Sequence, residues 1–257
     1  MLETVSESLR ARSTTLLAKI EGGLERILKA WLFIALIACS ARLAAAPAGI
    51  GHTGTTSLVA YLLLTIAPVA SMVLALRWFE TPDRHPRRLS RLALVGQWRA
   101  VSPEEARSHP LHGTSGIMVS LLVGMLMNIP VRAAEFLAAM PPIPDFAPHW
   151  ASVLQIAMTF DVVLFTSLYA IAFAAALRRS AIFPSLLAAI WVGDIAAQVG
   201  IAELVSRSAQ LPADVAAALH TLLDGNVKKV LISVALWLPY LLLSTRVNVT
   251  YRQRVPA

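Results

Sequence analysis

The chain predicts an all-α integral membrane protein of six transmembrane helices with both termini on the cytoplasmic side. Three observations carry that prediction. Hydrophobic residues make up 57% of the 257 positions against 14% charged, and the mean hydropathy is +0.66, too apolar for a soluble surface. Apolar runs recur along the chain, each near the roughly 20 residues a helix needs to cross about 30 Å of hydrocarbon. Lys and Arg collect between alternate runs, as the positive-inside rule requires.

The runs are Ala30 to Ala46, Ser57 to Leu76, Gly116 to Ala139, Trp150 to Leu177, Ala181 to Val205, and Val230 to Thr245. They are continuous rather than alternating, which favours helices over a β-barrel. Arg42 interrupts the first, and Pro130 with Arg132 the third. Ahead of the first run, Leu9, Leu16, Leu17, Ile20, Leu24 and Ile27 recur at helical spacing with charges between them, which predicts an interfacial helix over residues 1–29. That segment is too long and too acidic for the basic start of a signal peptide, so the small-residue stretch AAAPAG at Ala44 to Gly49 is not expected to be cleaved.

Residues 30–79 form a two-helix unit, and 80–108 a basic linker containing TPDRHPRRLSRLALVGQWRAVSPEEARS. Its RRLSRLALVGQW portion reads either as a plain positive-inside connection or as a short amphipathic helix on the inner leaflet, where each basic residue contributes about 1 kcal/mol against anionic lipid. Residues 109–257 hold the remaining four runs and a short basic tail. Between the fifth and sixth runs, LPADVAAALHTLLDG opens with Pro212 and closes at Gly225, which predicts a separate surface helix.

Sidedness follows from counting. Seventeen of the 22 Lys and Arg residues fall in the N-terminal tail, the second and fourth loops and the C-terminal tail, which all share one side if six helices cross. Only Arg207, Lys228 and Lys229 fall opposite, and Arg42 and Arg132 lie within runs. Losing or adding one helix would scatter the bias. The net charge of +7 therefore reports membrane orientation. It does not suggest nucleic acid, because no aromatic-interleaved basic face accompanies it. The single Cys39 lies in an apolar run and leaves no disulfide or cysteine-based metal chemistry.

Three motifs in the last four-helix block carry a family resemblance: HPLHGTSGIM at its start, LRRSAIFP with Arg178, Arg179 and Pro184 in its middle loop, and LWLPYLLLSTRVNVTY at its end. The last places Pro239, Tyr240, Ser244, Arg246, Val247, Thr250 and Tyr251 in the family's closing order. Residues 109–251 thus resemble a bacterial four-helix inner-membrane domain of unknown function, DUF family 2569. The early Gly-Gly-Trp-Leu-like element of that family is reduced here to Gly113, Gly116 and Ile117, and Tyr251 stands where Phe is usual. The resemblance implies a fold and a bacterial inner-membrane location, but no reaction.

Physically, the closing motif reads first as a membrane exit. Pro239 removes a backbone donor and predicts a kink, Trp237 and Tyr240 approach the interface, and Arg246 meets headgroups. A specific lipid-headgroup or partner site made by Tyr240, Ser244 and Arg246 is the other reading.

Ionisable groups inside a span cost about 2.5 to 3.5 kcal/mol each at mid-helix, so they face a partner or a wet cavity. Arg42, Arg132, Asp161 and Asp194 qualify, and counting at about 1.5 Å per residue puts them in one outward-leaning layer. Glu135 shares a helix face with Arg132 and is a local partner for it. Asp194 and Gln198 lie one turn apart, and the small residues Ala189, Gly193 and Ala197 form a ridge beside them. This cluster is either an ion-pair layer that fixes helix register or a polar pathway for an ion, a proton or a small polar solute.

No catalytic set is expected. No nucleophile, base and orienting group are placed together, and no glycine-rich phosphate loop follows a strand. His109 and His112 flank Pro110 and Leu111 without an evident third metal ligand, so neither metal nor cofactor is expected. The expected partners are membrane lipids and a protein partner or second copy.

Overall fold

The computed structural model describes residues 2–46, 53–80, 97–207 and 211–257. Six of its helices are long and apolar enough to cross a membrane, so the chain is a multi-pass helical membrane protein. They are α1 (Leu2–Ala44), α2 (Thr55–Trp78), α4 (Ile117–Ala139), α5 (His149–Leu177), α6 (Phe183–Ser206) and α7 (Ala213–Leu243), with a short α3 (Pro103–Ser108) before α4. After α7 the chain makes one further turn, α8 (Thr245–Val247), and a π-helical segment, Asn248–Arg252. Strands β1 (Trp98–Ala100) and β2 (Arg254–Pro256) pair antiparallel, with Arg99 opposite Val255.

The central helix is α5, the most buried of the six, and it packs against α2, α4 and α6. Helix α1 lies along α2 and α4, and α7 lies along α6. The N-terminal pair is therefore joined to the four-helix block throughout its length, and α2 on α5 is the most extensive contact between helices. Successive spans alternate in direction. This creates a terminal face, carrying the end of α7 and the loop before α4, and a distal face, where α2 and α5 begin.

Two apolar clusters fill the interior. One, including Met72, Met118, Phe173, Phe183, Leu241 and Tyr251, occupies the terminal half. The other, including Tyr61, Leu64, Phe136, Met158 and Leu223, occupies the distal half. At the distal face the loop before α5 is stitched to the start of α2. Gly54 donates its backbone N–H to the Ile143 carbonyl at 2.8 Å, and the Asp145 carboxylate caps the Thr55 N–H at 3.0 Å. A Cβ on Gly54 would lie 2.8 Å from Asp145 Oδ1, so only glycine allows that approach.

Two expected boundaries are different. The predicted interfacial helix is no separate element, because α1 runs unbroken from Leu2 to Ala44. Leu17 and Ile20 are buried in the terminal cluster, Leu24 and Ile27 pack against it and Ser13 accepts the Gly116 N–H at 2.8 Å, so these positions face the bundle, while Leu16 is exposed. Nothing between Ile20 and Ala30 breaks the helix, since Gly22 and Gly23 weaken it only by about 1 kcal/mol each. Likewise LPADVAAALHTLLDG is the first half of α7, which continues through Gly225. The RRLSRLALVGQW expectation falls mainly on residues outside those described.

Candidate functional site

At the seam between the two apolar clusters, four helices meet around one guanidinium. Arg132 of α4 donates from Nη1 to Asp194 Oδ2 at 2.7 Å and from Nη2 to Asp194 Oδ1 at 2.8 Å. The same Nη2 reaches Asp161 Oδ1 and Oδ2 at 3.1 and 2.9 Å. Asp194 thus takes the guanidinium as a two-point fork from α6, and Asp161 closes on one of its tips from α5. Fork geometry of this kind is the strong form of the Arg–carboxylate contact.

The remaining acceptor positions are closed by amides. Gln198 Nε2 donates to Asp161 Oδ1 at 2.9 Å and to Asp194 Oδ1 at 3.3 Å. Asn226 of α7 donates in turn to Gln198 Oε1 at 3.2 Å. The Phe165 ring lies 4.8 Å from the guanidinium carbon, adding an aromatic face to the cation. Asp161, Asp194 and Gln198 are all buried. One interhelical network therefore ties α4, α5, α6 and α7 at a single level.

A cavity of about 50 Å³ adjoins it, lined in part by Asn128, Arg132, Tyr169, Asn226 and Ser233. A second of about 90 Å³ shares Asn128, Tyr169 and Ser233 and extends to Trp191 and Trp237. A water needs about 10–15 Å³ of such volume, so each holds only a handful of waters.

Not every predicted member of this layer joins it. Glu135 does not turn back to Arg132, whose two Nη groups meet the aspartates and whose buried Nε has no partner among the described residues; it pairs with Lys229 of α7 at the cavity rim. Arg42 forms no ion pair among the described residues and lies beside the Tyr61 hydroxyl in the distal half. Of the Ala189, Gly193 and Ala197 ridge, Gly193 lies across from the Phe165 ring, while Ala189 is exposed. Asn226 and Phe165 are not among the residues the sequence singles out, and Lys229 figures there only in the count of charges by side. Asn226 and Lys229 stand four and one residues ahead of the predicted sixth span, and become neighbours of the network once that helix extends back to Ala213.

The closing motif forms a second constellation, on the terminal face. Helix α7 continues past Pro239 to Leu243, and Ser244 ends it in an extended conformation. The chain then folds back under the bundle, and Val247, Asn248, Val249, Thr250, Tyr251 and Arg252 are all buried. Their polar atoms go mainly to backbone, with Arg252 also donating to Asn248 Oδ1 at 3.0 Å. Thr250 Oγ1 accepts the Gly113 N–H at 2.9 Å, and Tyr251 donates its hydroxyl to the Ala176 carbonyl at 3.0 Å. Asn248 donates to the Leu242 and Ser244 carbonyls, and Arg252 to the Leu241 carbonyl at 3.0 Å.

Arg246, expected among headgroups, is directed inward. It donates to the Gly113 carbonyl at 3.2 Å and to the Ser115 hydroxyl. Tyr240 is within reach of both Ser244 and Arg246. The motif is thus a plug against the HPLHGTSG loop, where Gly113 and Gly116 have φ of +104° and +64° that suit glycine. Full burial pushes the Tyr251 hydroxyl above its ordinary value, and burial beside Arg254 lowers Arg252 to about 10. Pro184 occupies the first turn of α6, where no backbone donor is needed.

Arg178 and Arg179 follow the last turn of α5, and Arg178 meets Glu80 at 3.6 Å. Among the described residues no group of three or more His, Cys, Asp and Glu converges as a metal site would. No family model, no curated protein and no solved structure matches the chain, so the DUF 2569 likeness rests on its motifs alone.

Proposed function

We propose that this is a non-enzymatic subunit or lipid-interacting scaffold of a bacterial inner membrane, with both termini cytoplasmic. The orientation rests on the concentration of Lys and Arg at the terminal face. The observation that favours a scaffold is the closure of the Arg132 network on itself: both Nη groups are held by carboxylates, although the buried Nε has no partner among the described residues. Its fork, amides and aromatic cover are directed at one another, and the adjoining cavity is too small for a solute larger than a few waters. A network of this kind fixes the relative height of four helices, which is what a rigid docking body in the membrane requires.

A second reading, an ion- or proton-carrying transporter or channel, is favoured by one specific observation. A single guanidinium faces two carboxylates, so the site carries one excess negative charge when both acids are ionised, which a bound proton on one acid or a small cation would neutralise.

One measurement separates the two. Asp194→Asn in the purified chain should lower the melting temperature in detergent, and adding Arg132→Gln should restore part of the loss. Unchanged or raised stability of Asp194→Asn sinks the scaffold reading, because a site built for transport is held at a stability cost.

A further inference from the structure

The terminal face carries a cationic group that neither the Arg132 network nor the plug uses. Arg179 adopts φ of +52°, a left-handed conformation that a side chain adopts at a cost and glycine does not. Its backbone N–H bonds the Ala176 carbonyl at 3.1 Å, and the next N–H reaches Ala175 at 2.9 Å, a helix end of the kind glycine usually makes. The arginine in this strained position brings its guanidinium to Gly113, beside His112. Arg107, from the last turn of α3, and His109 lie within electrostatic reach of His112 as well.

No carboxylate balances them among the described residues. Glu105 is taken by Arg99, Glu80 lies against Arg178, and Glu104, one turn before Arg107, forms no ion pair with it. The surplus of positive charge is felt at His112, whose proton affinity is lowered first by burial and then by Arg179, Arg107 and His109. The depth is that of a headgroup. Arg178 and Arg179 directly follow the apolar α5, and Ile117, the first residue of α4, is an exposed apolar side chain beside the same loop. A ligand here meets a cationic end and a hydrocarbon end.

We propose that Arg107, His112 and Arg179, with Arg178 at the edge, bind the phosphate of an anionic phospholipid headgroup at the start of α4. The site deepens the scaffold reading and rests on its placement of the terminal face at the inner leaflet, where anionic lipid attracts basic residues.

The test uses the full-length chain in dodecyl maltoside, melted with added phosphatidylglycerol, phosphatidylcholine or inorganic phosphate at equal phosphate concentration. Phosphatidylglycerol should raise the melting temperature by about 3–6 °C at roughly tenfold excess over Kd, and the other two should not. Arg179→Gly relieves the strained backbone while removing the guanidinium. It should melt no lower than the parent without lipid and yet lose the phosphatidylglycerol increment, and Arg107→Gln should weaken that increment. An increment that survives in the Arg107→Gln/Arg179→Gly double variant, or that phosphatidylcholine equals, overturns the site. An equal effect of inorganic phosphate overturns the lipid as its ligand. A reporter fused at residue 88 that reads outside overturns the orientation alone, since the lipid increment in detergent does not depend on sidedness.

Discussion

The Arg132 network and the C-terminal plug both bury polar groups in an apolar setting, and they satisfy them in opposite ways. In the network, side chains answer side chains: a guanidinium, two carboxylates and two amides from α4, α5, α6 and α7 close on each other. In the plug, Thr250, Tyr251, Asn248, Arg246 and Arg252 bond mainly to backbone groups. The difference follows from what each place offers. Inside regular helices the backbone is already paired, so a charge there can be met only by other side chains or by water. At helix ends and in the Gly113 loop, carbonyls and N–H groups lack helical partners, and a side chain can supply them.

This contrast predicts where the structure is brittle. Arg132→Leu leaves two buried carboxylates without their cation, and removing one partner from a buried pair costs about 3–5 kcal/mol. A melting-temperature drop on the order of 10 °C in detergent is expected, with partial recovery in Arg132→Leu/Asp161→Asn/Asp194→Asn. If the single variant melts as the parent does, charge pairing does not hold the bundle and the contrast collapses.

The plug should respond more mildly and locally. Tyr251→Phe removes one buried hydroxyl and leaves the ring against Phe183, with ring centroids 5.0 Å apart. The Ala176 carbonyl keeps the Arg179 N–H as a donor, so only the net value of one hydrogen bond, about 1 kcal/mol, is expected. Faster hydrogen exchange should be confined to residues 244–252 and the Gly113 loop. Exchange that also rises across α4 and α6 near Arg132 would show that the two regions are one cooperative unit.

The two regions were also unequally legible in sequence. Arg132, Asp161 and Asp194 stand out because a charge in an apolar run has no reason to be there except a partner, and helical rise alone sets them at similar depth. The membership was harder. Arg42 lies beside Tyr61 in the distal half, on a helix whose main contacts are with α2 and α4, and depth counting carries no information about which helices touch. Asn226 and Lys229 were hidden by the predicted stop at Gly225, a residue that α7 tolerates because tertiary packing overrides a propensity cost of about 1 kcal/mol. The bonds that hold the closing motif against the bundle are not legible in sequence, because its partners, Gly113 and Ser115, lie more than 130 residues earlier. Apolar-then-basic patterning looks the same whether the chain leaves the membrane or folds back beneath it.

The smallest effect tests whether burial, and not mere charge pairing, separates the network from its surroundings. Glu135 and Lys229 join the same two helices, α4 and α7, at the rim of the cavity that Arg132 lines. Their side chains are 32% and 55% exposed, against 11% for Arg132 and 0% for Asp194. Where water and salt reach a pair, the gain in attraction is offset by screening and by the freedom two long side chains lose. Glu135→Gln should therefore cost below about 1 kcal/mol, with the difference from the parent shrinking as salt rises. A loss comparable to that of Arg132→Leu and insensitive to salt would mean that the rim is sealed from water. The network would then extend outward through Lys229, and a water-filled approach to Asp161 and Asp194 from that side would be closed.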